Sequence, residues 1–313
     1  MRNAIFALTI AAVAGAGWLA LRWVGPKAVS AETFAALYAT PLPAPAGPVA
    51  TYHLGHSLVG RDMPAMLAQL AGHDHASQLG WGASLRDHWK DSVPGFAEEN
   101  AHPAHRPAAA ALASGDYGAV VLTEMVEIRD AIRSHDSARH LALWADRARA
   151  ANPDARVYLY ETWHRLDDTG GWLERIDSDL ARHWEGDVLR PALARHKGGP
   201  IHVIPGGQVM AAAVRAIEAG EVEGVTSRHD LFQVQADGTQ DMIHFNDTGA
   251  YLIALAHFAV LYHRSPEGMA HDLLRADGTP MAPLSADAAL ALQKVVWRVV
   301  TGYAPTGVAA QPG

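Results

Sequence analysis

The stretch VATYHLGHSLVGRDMPAMLAQLA, residues 49–71, joins a short apolar segment to an amphipathic one. Residues 49–54 are typical of a buried strand, and residues 62–71 carry apolar side chains at helical spacing. The same order of strand and helix recurs along the chain. Further strands are predicted at 119–122, 156–160 and 201–204, and further helices at 137–151, 172–184, 187–196, 208–219, 247–263 and 286–300.

Strands that alternate with helices indicate a parallel sheet covered by helices on both faces. The sequence therefore predicts an α/β domain with three α/β/α layers and a flavodoxin-like parallel sheet of four or five strands, preceded by an N-terminal apolar helix. In such sheets, ligands bind beyond the carboxyl ends of the strands. Residues 76–117, with clusters of His, Pro and Ala, are irregular and are predicted to form loops over that edge.

The two ends of the chain differ in composition from the predicted domain. Residues 4–21 form an uncharged, mostly apolar run between Arg2 and Arg22, which is typical of a signal peptide or a membrane anchor. The predicted division is 1–31 as signal peptide or anchor, 32–48 as a Pro/Ala-rich linker, 49–304 as the folded domain and 305–313 as a frayed tail. Either leader exports the domain, so we expect a periplasmic or extracellular protein that contacts a membrane only through its N-terminal segment.

Composition excludes several classes of function. The 313 residues carry a net charge of -8 and no cysteine, and 49% of them are hydrophobic. Such a hydrophobic fraction is enough for a substantial core. Without a basic stripe, the chain is not expected to bind nucleic acid. Without cysteine, it forms no disulfide, no catalytic thiolate and no Cys-ligated zinc site.

Ser57 directly follows the first predicted strand, within HLGHSL at residues 53–58. A serine at the turn from strand to helix exposes its Oγ above the sheet, close to the free N–H groups of the following helix. Those N–H groups can stabilise a developing oxyanion, so the position suits a nucleophile. The alternative interpretation is an ordinary N-cap serine.

Asp241 and His244 precede the long apolar helix at 247–263. Spaced three apart, they can lie on one face of a turn. The carboxylate then holds the Nδ1–H of the imidazole and leaves Nε2 free as a general base. The alternative is a surface loop with an incidental pair, because the chain has 18 His.

Together these segments resemble the SGNH hydrolase superfamily, also called GDSL-like lipases and esterases, over roughly residues 49–262. GHSL at 55–58 resembles the first block, with His56 where Asp or Asn is usual, and DMIHFN at 241–246 resembles the fifth. GWGASLRDHW at 80–89 is similar to the second block of a branch that reads Gly-x-Ser-Leu-x-x-His-Trp. The resemblance implies the SGNH fold and a serine esterase in which His244, held by Asp241, activates Ser57.

The resemblance also implies an oxyanion hole in which the N–H groups of Ser57 and Gly82 bind the developing charge. The family usually adds an Asn from its third block, but VVLTE at 120–124 offers Thr123 and Glu124 instead. Three possibilities follow. Thr123 substitutes as a donor, Glu124 is held protonated by burial, or the hole has only the two backbone donors.

Further candidates for the substrate pocket are His56, Glu124, Glu161 and His164, which lie at or just beyond the ends of predicted strands. Trp81, Trp89, Trp163 and Trp172 are in or beside the same loops. Aromatic faces there would suit a sugar ring, and core or rim packing is the alternative.

The sequence as a whole predicts an exported serine esterase that cleaves an O-acyl ester, with O-acetyl on a glycan as the candidate substrate. The partner is a small-molecule or glycan ester, and no cofactor and no metal are expected. Alternatives are an O-acyltransferase on a glycan, a non-catalytic module that binds a glycan or acyl group, and a metal-dependent hydrolase. His-rich stretches such as residues 73–75 suggest the last, but they lack the His-Glu-x-x-His spacing of many zinc hydrolases.

Overall fold

The computed structural model describes residues 28–310, and its centre is a five-stranded parallel sheet in the order β2-β1-β3-β4-β5. The strands are β1 (Thr51–His56), β2 (His75–Gly80), β3 (Ala119–Thr123), β4 (Arg156–Glu161) and β5 (His202–Pro205). This is the strand order of flavodoxin-like sheets, so the predicted fold class is confirmed. The predicted N-terminal apolar helix lies outside the described residues.

Helices cover both faces of the sheet. In chain order they are α1 (Ala31–Leu37), α2 (Asp62–Ala71), α3 (Leu85–Trp89), α4 (Phe96–Glu99), α5 (Ala108–Ser114), α6 (Ile128–His135), α7 (Ser137–Ala151), α8 (Trp172–Asp179), α9 (Arg190–Arg195), α10 (Gly206–Glu218), α11 (Asp247–Tyr262) and α12 (Ala286–Thr301). The π-helical segment Leu180–Leu189 joins α8 to α9 in one continuous helical run. The sequence analysis instead predicts two separate helices there, at 172–184 and 187–196.

Side chains of the strands alternate between two cores. Val121 and Tyr158 point to the side covered by α2, α10, α11 and α12. Val120 and Leu122 point to the opposite side, which α7 covers. Burial on both faces explains why β3 is apolar throughout rather than alternating.

β2 lies within the stretch 76–117, so the prediction of loops there is wrong for this strand and for α3, α4 and α5. Its sequence HASQLG contains polar residues and no β-branched ones, which hides a buried strand. The Gln78 side chain is satisfied inside the fold: its amide nitrogen lies 2.9 Å from His88 Nδ1, and its oxygen accepts the Ala108 N–H at 2.8 Å. These partners are distant in the chain, so a local pattern does not reveal them.

The segment before β1 and the end of the chain pack on the domain. Tyr38 is buried, and its hydroxyl donates to the Ile201 carbonyl at 2.5 Å. The Leu42 N–H donates to the Gly307 carbonyl at 2.8 Å. Residues 305–308 are buried, so the predicted frayed tail is wrong for them, and α1 lies where the sequence predicts a linker. Among the described residues, no helix combines the length and apolarity needed to cross a membrane.

A two-stranded antiparallel hairpin, β6 (Phe232–Val234) and β7 (Gln240–Phe245), stands apart from the main sheet. β7 leads directly into α11 through Asn246, whose side chain caps the helix by accepting the Gly249 N–H at 3.1 Å. The hairpin therefore delivers the residues just before α11 to the carboxyl edge of the sheet.

We expect the buried histidines to destabilise the domain as the pH falls from 7 to 5. His56, His88 and His257 are buried, and burial lowers the pKa of each to about 4. Because the unfolded chain then binds protons first, the stability is fully present above about pH 6.5 and is lost as the pH falls towards 4. Each histidine contributes roughly 2 kcal/mol of destabilisation at pH 5. Urea unfolding at both pH values measures the change.

The control for this prediction is His88→Gln, which removes one titrating ring from the core. The variant is less stable at pH 7 because it loses packing, but its stability falls less between pH 7 and pH 5 than that of the wild type. A His88→Gln variant whose unfolding free energy falls as much as that of the wild type between pH 7 and pH 5 contradicts the prediction.

Candidate active site

Ser57 lies in the tight turn that ends β1. The turn brings the chain against β3 so closely that only glycine fits at position 55. A Cβ there would lie 2.7 Å from the Thr123 Cβ and 2.8 Å from the Val59 Cγ2. Gly55 thus lets the strand end abruptly and leaves Ser57 at the carboxyl edge, above the sheet.

The His56 ring braces this turn. Its Nε2 lies 2.8 Å from the Glu124 carbonyl oxygen, and its Nδ1 lies 3.3 Å from the Leu58 backbone nitrogen. Both contacts are satisfied if Nε2–H donates to the carbonyl and Nδ1 accepts the N–H. Burial lowers the pKa of His56 to about 4, so the ring is neutral at pH 7. Although it borders the cavity described below, its two nitrogens are engaged by the protein rather than free for a ligand.

Asp241 and His244 lie on β7, whereas the sequence predicts a turn. In a regular strand, residues three apart point to opposite faces. Here the Asp241 Oδ1 accepts the N–H groups of both Ile243 and His244 at 2.8 Å, which curls the strand. The other carboxylate oxygen then reaches the His244 Nδ1 at 2.8 Å. Partial burial opposes ionisation, but the hydrogen bonds from His244 and Ile243 outweigh it and lower the pKa of Asp241.

The structure brings Ser57 to the free nitrogen of the same ring. Ser57 Oγ lies 3.0 Å from His244 Nε2, although the two residues are 187 positions apart in the chain. The Asp241 side chain is 10% exposed and that of His244 is 40% exposed. A partly buried carboxylate, an imidazole and an accessible hydroxyl therefore form one continuous hydrogen-bonded row.

Two contacts hold the hairpin at this edge of the sheet. The Trp163 Nε1–H donates to the Ile243 carbonyl at 2.9 Å, and the Leu166 N–H donates to the Met242 carbonyl at 2.7 Å. The Trp163 ring also packs against Phe245, with ring centroids 5.9 Å apart. The loop after β4 thus fixes the position of His244 relative to β1.

The hydrogen-bonded row opens into a cavity of about 850 Å³, a volume within the range of small-ligand sites. Its lining combines apolar side chains with charged ones. The lining residues are His56, Ser57, Leu58, Trp81, Gly82, Glu99, Val126, Glu127, His164, Arg165, Asp167, Asp168, Thr169, Ile243 and His244.

Two of the predicted oxyanion donors border this cavity. Gly82 adopts the left-handed conformation, with φ of 54°, and the space beside its Cα is open. Within residues 28–310, the N–H groups of Ser57 and Gly82 donate to no protein acceptor. Thr123 does not line the cavity: it is fully buried at the end of β3, packed beside Gly55. The structure therefore offers the two backbone donors and not the Thr123 hydroxyl.

Glu124 and Glu161, both predicted as pocket residues, are fully buried and do not line the cavity. Burial raises the pKa of Glu124 to about 7 and that of Glu161 to about 8. Glu124 accepts the Met125 N–H at 2.8 Å, and Glu161 accepts the Gly207 N–H at 2.8 Å. These carboxyls satisfy the backbone behind the site. Of the four pocket candidates, only His56 and His164 border the cavity.

An ionic network that the sequence does not reveal contributes Glu127, His164 and Asp168 to the cavity lining. The buried Arg175 guanidinium donates to Glu127 at 2.6 and 2.8 Å, to Asp168 at 2.5 Å and to Asp179 at 2.6 Å. Burial opposes ionisation of Glu127, but the Arg175 bonds outweigh it and lower the pKa to about 2. His164 completes the group, with its Nε2 3.2 Å from Asp179.

Glu127, His164 and Asp179 place one possible metal-ligand atom each within 4.8 Å of one another. Arg175, however, binds both of the carboxylates in this set. Its guanidinium supplies the positive charge that a cation would otherwise bring. The geometry is therefore that of a buried ion-pair network.

The four tryptophans that the sequence analysis places near the site differ in role. Trp163 and Trp172 are core residues, 1% and 2% exposed. Trp89 packs edge-on against Trp144, with ring centroids 5.0 Å apart. Trp81 lines the cavity and is 57% exposed. Glu99, which the sequence analysis does not single out, lies beside it.

Comparison with known proteins yields structural rather than sequence relatives. No protein-family model matches the chain, and no curated protein matches it. A DUF4886 family protein from Bacteroides uniformis is similar with a TM-score of 0.52 at 15% identity, over 81% of this chain and 95% of that one. This likeness shows that a similar fold occurs in a solved structure over most of the chain.

Two further solved structures resemble parts of the chain. A candidate SGNH hydrolase from Slackia heliotrinireducens is 24% identical over 67% of this chain and 97% of that one, with a TM-score of 0.39. A candidate GDSL-like lipase from Parabacteroides merdae is 12% identical over 67% of this chain and 94% of that one, with a TM-score of 0.40. The structural neighbours thus include proteins described as SGNH- and GDSL-like.

Proposed function

We propose that this protein is a serine hydrolase of the SGNH type that cleaves an O-acyl ester. The observation that carries the proposal is the row from Asp241 through His244 to Ser57, with hydrogen-bond distances of 2.8 and 3.0 Å. It ends at a serine hydroxyl that faces a cavity. A carboxylate, an imidazole and a hydroxyl in this order form the recurrent geometry of an activated serine nucleophile.

In the proposed mechanism, His244 Nε2 takes the proton of Ser57 as Oγ attacks the ester carbonyl. Asp241 holds the Nδ1–H and stabilises the imidazolium that forms. The free N–H groups of Ser57 and Gly82 are the candidate donors to the oxyanion. His244 then gives the proton to the leaving alkoxide, and water activated by the same base hydrolyses the acyl-enzyme.

Two donors are fewer than the three implied by the resemblance to SGNH hydrolases. Removing one donor from such a site raises the barrier by about 2.7–4 kcal/mol. We therefore expect a slower esterase than one with an Asn in the third block. An O-acetyl group on a glycan is the proposed substrate, and the apolar N-terminal segment is proposed to export the domain to the periplasm or the cell exterior.

The test uses a protein that comprises residues 28–313 and is called the wild type below. This protein is treated with a fluorophosphonate probe that labels covalently. We expect the wild type to be labelled at Ser57, located by mass spectrometry, and to hydrolyse p-nitrophenyl acetate. Ser134→Ala is the matched control, since Ser134 is exposed on α6 and does not line the cavity, and it should label like the wild type. A chelator should leave both labelling and turnover unchanged.

The possible outcomes separate the alternatives. A wild type that is folded but neither labelled nor active contradicts the proposal and favours a binding module. Turnover that a chelator abolishes favours a metal-dependent hydrolase. Labelling at Ser57 with acyl transfer to an added sugar, and little release to water, identifies an acyltransferase.

A further inference from the structure

Two large aromatic hydrophobic residues are exposed within residues 28–310, and Trp81 is the more exposed of them, with 57% of its area accessible. It follows β2 directly and precedes Gly82, one of the two candidate oxyanion donors. Its ring lines the same cavity as Ser57 and His244. Exposure of an indole to water is unfavourable, because burial of its apolar surface would lower the free energy.

The ring is nevertheless held in place. The Trp81 Nε1–H donates to Glu99 Oε1 at 2.9 Å, and the Trp81 backbone N–H donates to the Pro94 carbonyl at 2.8 Å. Gly95 lies against the ring, since a Cβ on it would be 2.2 Å from the indole Cδ2. Gly95 also has a φ of 63°, which favours glycine. One side of the indole is thus backed by the chain, and the ring is fixed in orientation.

We propose that Trp81 and Glu99 form a subsite for a pyranose ring, which positions an O-acyl group of a carbohydrate at Ser57. This proposal rests on the proposed function. The apolar C–H face of a pyranose packs on an aromatic face, and its hydroxyls donate to carboxylates. Within residues 28–310, Glu99 uses only Oε1 to hold the indole and its Oε2 accepts no hydrogen bond, so that oxygen is available to a sugar hydroxyl.

Other residues of the cavity lining fit the same ligand. Asp167, Asp168 and Thr169 border the cavity with further oxygen atoms. A long acyl chain in their place would desolvate the carboxylates without giving them hydrogen bonds, which is unfavourable. A cationic ligand is less suited, because Arg165 pairs with Asp167 at 2.9 Å and Arg175 pairs with Asp168 at 2.5 Å. Paired carboxylates still accept hydroxyl donors.

Trp81→Ala tests the subsite through a comparison of two substrates. The first is a panel of mono-O-acetylated methyl pyranosides of gluco, galacto and xylo configuration, and the second is p-nitrophenyl acetate, which has no sugar. For the preferred pyranoside, we expect kcat/KM to fall about tenfold more than for p-nitrophenyl acetate, mainly through KM, when this aromatic contact is lost. Trp81→Phe should recover part of the loss.

The control is Phe96→Ala. Phe96 is also an exposed aromatic residue, 40% accessible, on the helix that carries Glu99, but it does not line the cavity. We expect this variant to treat both substrates like the wild type. Equal losses on both substrates in Trp81→Ala overturn the subsite. The subsite is also overturned if Trp81→Ala selectively loses activity on p-nitrophenyl octanoate, which would indicate a site for an acyl chain. A selective loss of activity on butyrylcholine would overturn it as well and indicate a site for a cation.

A binding measurement separates the subsite from the chemistry. This measurement uses the Ser57→Ala variant and the methyl pyranosides of the same three configurations without their acetyl groups. Saturation-transfer NMR should show contacts between sugar and protein that the additional Trp81→Ala substitution abolishes. If the wild type hydrolyses neither substrate but this signal is present, the proposed function fails and the subsite stands. If the esters are hydrolysed but no pyranoside binds, the subsite fails and the proposed function stands.

Discussion

Replacing Ser57 by alanine should lower kcat for p-nitrophenyl acetate by about 10⁴-fold or more, the range measured when a catalytic triad loses its nucleophile. The hydroxyl removed is the one that lies 3.0 Å from His244 Nε2. No other group in the row can form the acyl-enzyme. The side chain is small and borders the cavity, so the melting temperature should change little. Steady-state kinetics together with thermal unfolding measures both effects.

His244→Ala provides the internal check on this result. Because the residues of such a row act as a unit, the double variant should be no slower than the slower single one. Additive losses in the double variant would mean that the two side chains act independently. A Ser57→Ala variant that keeps most of its activity would contradict the mechanism outright.

Replacing Arg175 by methionine should destabilise the domain by about 3–5 kcal/mol, because it leaves Glu127, Asp168 and Asp179 without their shared cation. The Arg175 side chain is 5% exposed, so water cannot easily replace its hydrogen bonds. Activity should fall as well, since Glu127, Asp168 and His164 of this network line the same cavity as Ser57. Urea unfolding at pH 7 measures the free energy.

Arg133→Met is the matched control for the arginine network. Arg133 pairs with Asp130 on the exposed face of α6, and its side chain is 76% accessible. Its loss should change the unfolding free energy by less than about 1 kcal/mol. Equal effects of the two substitutions would contradict the role of the buried network. Excess Zn²⁺ should not raise the melting temperature of the wild type, because Arg175 supplies the positive charge.

The architecture could be predicted from the sequence wherever local pattern and tertiary environment agree. β1, β3, β4 and β5 are short apolar runs between helices, and a parallel sheet covered by helices follows from such alternation. β2 could not be predicted, because its Gln78 is satisfied by His88 and Ala108 rather than by water. Likewise, the curl of β7 depends on the Asp241 side chain bonding to the backbone of Ile243 and His244. The local sequence of residues 240–245 does not distinguish a curled strand from a turn.

Some residues of the candidate site could likewise be predicted from local sequence, and others could not. Ser57, Asp241 and His244 stand next to recognisable element ends, and the structure brings them together, while their catalytic roles stay a prediction. The Arg175 network joins Glu127 to a helix 48 residues away, and no local signal marks that contact. The predicted donor Thr123 lies at a strand end as expected, but the close approach of Gly55 buries it, which only the packing of β1 against β3 reveals.

The hairpin that carries His244 has a consequence for the order in which the protein is made. All five strands of the main sheet, and Ser57 with them, leave the ribosome before β7 does. At typical synthesis rates, the 187 residues between Ser57 and His244 take roughly 10 to 40 seconds to translate. Throughout that interval the nascent chain carries a serine without its base. In the proposed mechanism, a polypeptide whose synthesis stops short of the hairpin is therefore catalytically silent, and hydrolytic competence is acquired only after His244 has been added to the chain.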